Sequence, residues 1–211
     1  MKANSEGGQD ARILREELRR LDLSLTPAQL AGLFCYLQEL DRWNRKMNLT
    51  GLSGRMRVRR LVIEPIWIAT ALDIRGTLAD VGSGNGSPGI PMSLAAPVES
   101  LILVEPRLKR AAFLRHAVST IPDMPPARVE RARLEAIQGT IRVDWIVMQG
   151  VALTENLLEA LRGVCGRDTR VVWITAGGEQ PTRTARRVQV PEGETEAWVW
   201  DFTEEQESLM G

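Results

Sequence analysis

Apolar residues recur at three- and four-residue steps over roughly the first seventy positions and then gather into short unbroken runs, so the chain changes period once. From Ala11 to about Asp22, residues Ile13, Leu14, Leu18 and Leu21 fall on one helical face. Thr26-Pro27 is an N-cap followed by proline at the first helical position. It opens a second helix through about Lys46, with Leu30, Leu33, Phe34, Leu37 and Leu40 on one stripe. Asn48-Leu49-Thr50-Gly51 ends it, and a third helix is predicted from about Met56 to Leu72, with a kink at Pro65. The first ten residues are polar and are predicted to fray.

At Thr77 the pattern switches. Leu78–Val81 and Leu101–Val104 read as buried strands, joined through a glycine-rich turn and a helix over 89–95. A helix over 107–121 carries Leu108, Ala111, Leu114, Ala117, Val118 and Ile121 on one stripe, which leaves His116 outside. Further strands are predicted at 127–130, 143–148 and 170–174, with a helix at 154–163 and a terminal hairpin over 187–190 and 197–200. Strands that are apolar throughout and alternate with helices indicate a mostly parallel, doubly wound sheet covered on both faces. The expected organisation is a frayed segment (1–10), a helical cap (11–75) and a Rossmann-like α/β domain (76–211) closed by an antiparallel hairpin.

Composition narrows the chemistry. With 211 residues, 44% of them hydrophobic and 26% charged, the chain can bury a core without a staple. No apolar run is long enough to span a bilayer, and the N-terminus lacks the apolar stretch of a secretory signal. Cys35 and Cys165 have no paired spacing and read as reduced thiols of a cytoplasmic protein. A single histidine, His116, excludes a multi-histidine zinc site, and no metal is expected. Charge is balanced overall but uneven along the chain. Residues 42–60 hold Arg42, Arg45, Lys46, Arg55, Arg57, Arg59 and Arg60 and no acid, whereas the segment from Glu192 onward is acidic throughout. Such asymmetry fits either a nucleic-acid face or two segments that attract each other. The tryptophans sit mostly at apolar positions and read as core; Trp43, inside the basic segment, is equally placed for base stacking.

The sharpest signal is Asp80-Val81-Gly82-Ser83-Gly84-Asn85-Gly86-Ser87-Pro88-Gly89, between a strand and a helix. Glycines permit positive φ and close approach of a ligand. Glu105, at the end of the next strand, is where a carboxylate accepts from both hydroxyls of a ribose. The spacing is G-x-G-x-G, with Ser87 where a dinucleotide fingerprint has its third glycine, and an acid two residues upstream. An acid there suits a cationic methionyl ligand better than a pyrophosphate, favouring S-adenosylmethionine over NAD; a purely structural turn is the remaining alternative. After the fourth strand, Val147-Met148-Gln149-Gly150 lacks the Asn/Asp-Pro-Pro-aromatic run used for exocyclic amines, and no Pro-Cys nucleophile is present. A ring nitrogen with its own lone pair needs neither, because orientation against an activated sulfonium supplies most of the acceleration.

Taken together, these segments resemble the bacterial GidB/RsmG methyltransferases of 16S ribosomal RNA, over roughly residues 25–178. Leu40-Asp41-Arg42-Trp43-Asn44-Arg45-Lys46-Met47-Asn48-Leu49-Thr50 resembles the family's helix end, Asp80–Pro91 its glycine signature, and Leu103-Val104-Glu105-Pro106 with Lys109-Arg110 and Phe113-Leu114 the segment after strand two. The resemblance implies a class I S-adenosylmethionine methyltransferase fold and methylation of guanine N7 in 16S rRNA by a cytoplasmic monomer. Asp80, Gly82, Ser83, Gly84, Gly86 and Ser87 would then hold the methionine and sulfonium end of the cofactor, Glu105 the ribose, and Leu134 and Glu135 the adenine. Gln149, with Arg42, Asn44, Arg45, Lys46, Asn48, Arg59 and Arg60, would face the acceptor RNA. The chain departs from the family on that acceptor side. Arg60-Leu61-Val62-Ile63-Glu64 replaces an Arg-His-x-x-Asp run, Gln149 an arginine and Ala176 a lysine. A divergent relative that binds S-adenosylmethionine but modifies another substrate, and a non-catalytic ribosome-associated module, are the alternatives.

Overall fold

The two periodicities become helices and one seven-stranded sheet in the computed structural model, which describes residues 2–137, 139, 141–177 and 180–202. Helix α1 (Lys2–Arg20) is longer than its apolar stripe, its backbone helical from Lys2. Asp10 belongs to the packed part of that helix, buried with its carboxylate on Arg57. Helix α2 (Pro27–Met47) starts on a full capping box. Gln29 N–H donates to Thr26 Oγ1 at 3.2 Å, and Thr26 N–H to Gln29 Oε1 at 2.8 Å. It ends on Asn48 in the left-handed region.

The predicted third helix is three pieces: α3 (Gly54–Val58), a π-helical turn (Arg59–Ile63) and α4 (Glu64–Ala71). Pro65 has no N–H, and its ring would strike the carbonyl four residues back in a regular α-helix. The widened turn, in which Glu64 N–H reaches Arg59 O, relieves that conflict without the simple kink expected.

Strands β1 (Gly76–Val81), β2 (Val98–Val104), β3 (Ala127–Glu130), β4 (Trp145–Gln149), β5 (Arg170–Thr175), β6 (Arg186–Gln189) and β7 (Glu196–Trp200) form one sheet in the order β3-β2-β1-β4-β5-β7-β6. The first five are parallel, and β7 and β6 add antiparallel, so the doubly wound sheet with a terminal hairpin is as expected. Alternate residues go to opposite faces. Leu78, Leu101, Leu103, Trp145, Val147 and Val172 pack into one core with α1–α4, α5 (Gly89–Ala95) and α6 (Leu108–Thr120). Ala79, Ile102, Val104, Ile146, Met148 and Val171 pack into a second with α7 (Glu155–Val164) and a short 3₁₀ turn (Leu134–Ala136). The helices before β1 therefore share a core with the sheet, and the boundary near residue 75 is one of sequence within a single packed body. Among the described residues, no helix is long and apolar enough to cross a membrane.

Candidate functional site

The carboxyl ends of β1, β2, β4 and β5 open on the same side, and the chain leaves β1 there through Gly82–Pro88. Gly82, Gly84 and Gly86 have φ of +79°, +50° and +90°, conformations that L side chains rarely adopt. The turn is held from beneath by two carboxylates. Asp80 is fully buried; its Oδ2 accepts from Gly89 N–H at 3.0 Å, while its Oδ1 has no partner. Burial, reinforced by the nearby charge of Glu105 and opposed by the Gly89 N–H, pushes its pKa up to about 7. Glu105, also buried, accepts from Gly84 N–H at 3.1 Å and from Arg107 N–H at 2.8 Å. Tyr36 braces the turn from α2, its hydroxyl donating to Asn85 O at 3.1 Å.

In front of the turn lies a cavity of about 430 Å³. Its walls are Gly82–Asn85 and Ser87, Gln149–Val151 after β4, Trp173–Ala176 at the end of β5, the loop around Leu49–Leu52, and Arg60, Leu61, Arg110 and Thr195. Ser87 Oγ donates to Gln149 Oε1 at 3.1 Å, so the predicted Gln149 is fixed to the turn. Its amide nitrogen points to Arg60 O at 3.4 Å. Gly150 has φ of +65°, and a Cβ there would stand in open space, leaving bare backbone on the wall.

The structure brings together Gly82, Ser83, Gly84, Ser87, Gln149 and Arg60 around this cavity. Asp80 is set behind the turn and not on the wall; Gly86 packs against Ile90 and Tyr36. Glu105 lies under Gly84. Leu134 is buried in the second core and Glu135 is exposed on the 3₁₀ turn; neither lines the cavity.

Much of the predicted RNA-facing segment has other work. Asn44 spends its side chain on the loop that walls the cavity, donating to Thr50 O at 3.0 Å and accepting from Thr50 N–H at 2.9 Å. Asn48 is a helix cap. Arg57 is buried between Asp10 and Asp41, and Arg55 pairs with Glu16 and Glu17. Arg59, its side chain 11% exposed, binds Glu17, Glu64 and the carbonyls of Pro191 and Glu192. Arg59 is therefore corrected from a phosphate contact to a tie between the cap and the turn before β7, while Arg55 and Arg57 tie helices of the cap to one another. Arg20, outside the basic segment, adds a pair with Glu192 at 2.5 Å.

Arg60 differs: it reaches the cavity, held by Thr195 Oγ1 and by Glu64. Trp43 is half-buried and packs on Phe113 and His116. His116, expected on the surface, lies in the α2–α6 seam against Glu39 at 2.8 Å.

Asn85, Arg110, Trp173 and Thr195 were missed by sequence reasoning. Asn85 and Arg110 sit inside motifs that drew attention for other residues. Trp173 and Thr195 carry no local signal. Both cysteines are free thiols, and burial raises the pKa of Cys165 to about 12. Among the described residues no cluster of three metal-ligating side chains forms.

The family model of GidB, rRNA small subunit methyltransferase G, matches residues 29–196. The chain belongs to the GidB family. As a member it is an S-adenosylmethionine-dependent methyltransferase of the small-subunit rRNA class, and its sheet is that of a class I methyltransferase. Ribosomal RNA small subunit methyltransferase G of Helicobacter pylori is 33% identical over 124 residues, covering 59% of this chain and 69% of the relative. Ribosomal RNA small subunit methyltransferase G 2 of Syntrophobacter fumaroxidans is 29% identical over 167 residues; the match covers 74% of this chain but only 31% of that longer protein. A crystal structure of MtNAS in complex with MTA and tNA shares the fold, with a TM-score of 0.53 and 14% identity over 90% of this chain and 70% of that one.

The site of this GidB-family chain fits the cofactor on its own chemistry. A buried acceptor without a donor (Asp80 Oδ1) lies behind a turn of positive-φ glycines. The Glu105 carboxylate, under the same turn, has lone pairs left after its two backbone N–H bonds.

Proposed function

We propose that this chain transfers a methyl group from S-adenosylmethionine to N7 of a guanine in 16S ribosomal RNA, acting in the cytoplasm on the small subunit or its rRNA. The observation that carries this reading is the glycine turn clasped by Asp80 and Glu105 at the mouth of a cavity that ends on Gln149. When bound, S-adenosylmethionine supplies a methyl group already activated on a sulfonium. The protein then needs to orient and to exclude water, with no general base at an N7 that offers its own lone pair.

In this reading Glu105 accepts from the ribose hydroxyls, and the backbone of Gly82–Gly86 with Ser83 and Ser87 cradles the methionyl part. Leu134 and Glu135, which follow β3, flank the adenine. The buried Asp80 carboxylate favours a cation in front of the turn, because an uncompensated charge there is costly. Gln149, held by Ser87, presents its amide toward the acceptor, where N–H donors suit guanine O6. Arg60 and Arg110 supply the cations of the cavity wall in place of those the family carries at positions 149 and 176. Monomeric action is consistent with only Met56 and Leu108 being exposed among the large hydrophobics of the described residues.

The substitutions Gln149 and Ala176 support one second reading, a relative that keeps the cofactor and modifies another substrate. Calorimetric titration with S-adenosylhomocysteine, with NAD as control, followed by radiolabelled methyl transfer to purified small subunits and to 16S rRNA, separates the readings. Micromolar binding of S-adenosylhomocysteine alone and label at one guanine are expected. Absence of binding would overturn the cofactor assignment. Binding without transfer to either RNA substrate would overturn the acceptor and leave the second reading.

A further inference from the structure

The arginines of residues 55–59 are spent inside the protein, which leaves open where a polyanionic acceptor would be gripped. Contacts along the α2–α6 seam answer this. Cys35 Sγ meets Thr120 O, Glu39 meets His116, and Trp43 meets Phe113, so the helices run antiparallel. The residues that meet are 35, 39 and 43 on α2 and 120, 116 and 113 on α6. One more turn along each helix therefore sets Lys46 level with Lys109, at the carboxyl end of the sheet. Arg42 and Arg45 flank Lys46; Arg107 and Arg110 flank Lys109. Arg110 also walls the cavity, with its Nη1 3.4 Å from where a Cβ on Gly84 would stand.

Among the described residues only Arg42 of these six cations has a charged partner, Glu39 at 3.6 Å, and its side chain is still 70% exposed. No acid occurs on α6, nor on α2 beyond Asp41, which is committed to Arg57. Among them stands Leu108, 62% exposed, an apolar tip that a solvated charge ridge does not require but a sugar or base face would cover.

We infer that this ridge, formed by Lys46, Arg45 and Arg42 on α2 and Arg107, Lys109 and Arg110 on α6, is the docking surface for the acceptor RNA's phosphate backbone. It leads through Arg110 into the cavity. The inference rests on the methyltransferase reading above and names the part of this chain that holds its substrate. A polyanion whose strand continues into the cavity fits six like charges better than a protein partner does, because the ridge carries only one exposed apolar side chain. The contacts are to phosphate, so they position the RNA without reading its sequence.

The test is a Lys46→Glu/Lys109→Glu double variant of the full chain, measured against 16S rRNA by filter binding across a salt series. Arg186→Glu, on the opposite edge of the sheet, is the charge control. Loss of two phosphate contacts should weaken binding roughly tenfold or more at physiological salt and flatten the log–log salt slope by about 1.4 to 1.8. Arg186→Glu should match the wild type, and all three proteins should bind S-adenosylhomocysteine equally and melt together. Unchanged affinity and slope in the double variant, with wild-type binding and methyl transfer intact, would overturn the ridge alone. So would an equal loss in Arg186→Glu. A wild-type chain that binds neither S-adenosylhomocysteine nor rRNA would overturn the reading on which the ridge rests.

Discussion

Asp80→Asn should stabilise the protein at alkaline pH while weakening the cofactor site. Asp80 is fully buried, one oxygen bound to Gly89 N–H and the other without a partner, and its pKa stands near 7 against an ordinary value of 3.8. Between those values the folded chain holds a proton that the unfolded chain has released, so stability falls as pH rises. Over the full displacement, at about 1.4 kcal/mol per pH unit, the loss amounts to roughly 4 kcal/mol by pH 8. Asparagine resembles the protonated acid in shape and charge. Wild type and variant should therefore be close in stability only below about pH 4, and the variant should gain about 1.4 kcal/mol per pH unit from there to about pH 7, levelling off above it. Urea unfolding of both proteins from about pH 4 to about pH 8.5 reads this directly, because titrating groups distant from Asp80 cancel in the difference. Parallel profiles would refute the argument, since they would mean that Asp80 ionises no less easily in the folded chain than in the unfolded one. The variant should also bind S-adenosylhomocysteine more weakly at pH 8, where the wild type carries the charge that favours an ammonium. An expensive anion retained at a ligand cavity is the pattern expected of a functional group.

Three further outcomes follow from the same geometry. Arg57→Ala removes the cation shared by the buried Asp10 and the partly buried Asp41 and should cost about 3–5 kcal/mol in thermal or urea unfolding, whereas a loss under about 1 kcal/mol would show the ion pairs to be incidental. Gly86→Ala forces a side chain into φ of +90°, with its Cβ 2.6 Å from Ile90 Cδ1; the turn should shift, with roughly 1–3 kcal/mol lost and S-adenosylhomocysteine affinity down at least about tenfold by calorimetry. Glu105→Gln leaves either Gly84 N–H or Arg107 N–H facing an amide donor and should weaken S-adenosylhomocysteine by about tenfold or more, with adenine alone little affected.

The sheet and its helices were legible because both faces of the strands are buried, which writes unbroken apolar runs into β1, β2 and β4 and a clear 3.6 period into α2 and α6. The glycine turn was legible for a local reason as well: positive φ at Gly82, Gly84 and Gly86 constrains residue type at the site itself. The destinations of Arg55, Arg57 and Arg59 were not, because their partners Asp10, Glu16 and Glu17 lie some forty residues upstream, on a helix whose start carries no apolar stripe. A run of bases reads the same whether its counter-charges are phosphates or a neighbouring helix. Asp80 illustrates the converse. Its importance was visible from its spacing to the glycines, but its place behind the turn follows from Gly89, whose missing side chain lets the helix end approach to hydrogen-bonding distance. Thr195 had no signal at all, since its role depends on the register of β7 and on Glu64.

Thr195 also sets an order of events. Its hydroxyl donates to the buried Glu64 at 2.6 Å and accepts from Arg60, while the backbone just before it receives Arg59. During synthesis the first five strands, α1 and the glycine turn all leave the ribosome before residue 195 does. Until then Glu64, Arg59 and Arg60 have one another and Glu17 but lack Thr195 and the carbonyls before it, so the wall of the cavity opposite the glycine turn is unfinished. A nascent or prematurely terminated chain would hold its cofactor cradle but no finished acceptor wall, and modification of ribosomes would wait for the final hairpin of the modifying protein to be made.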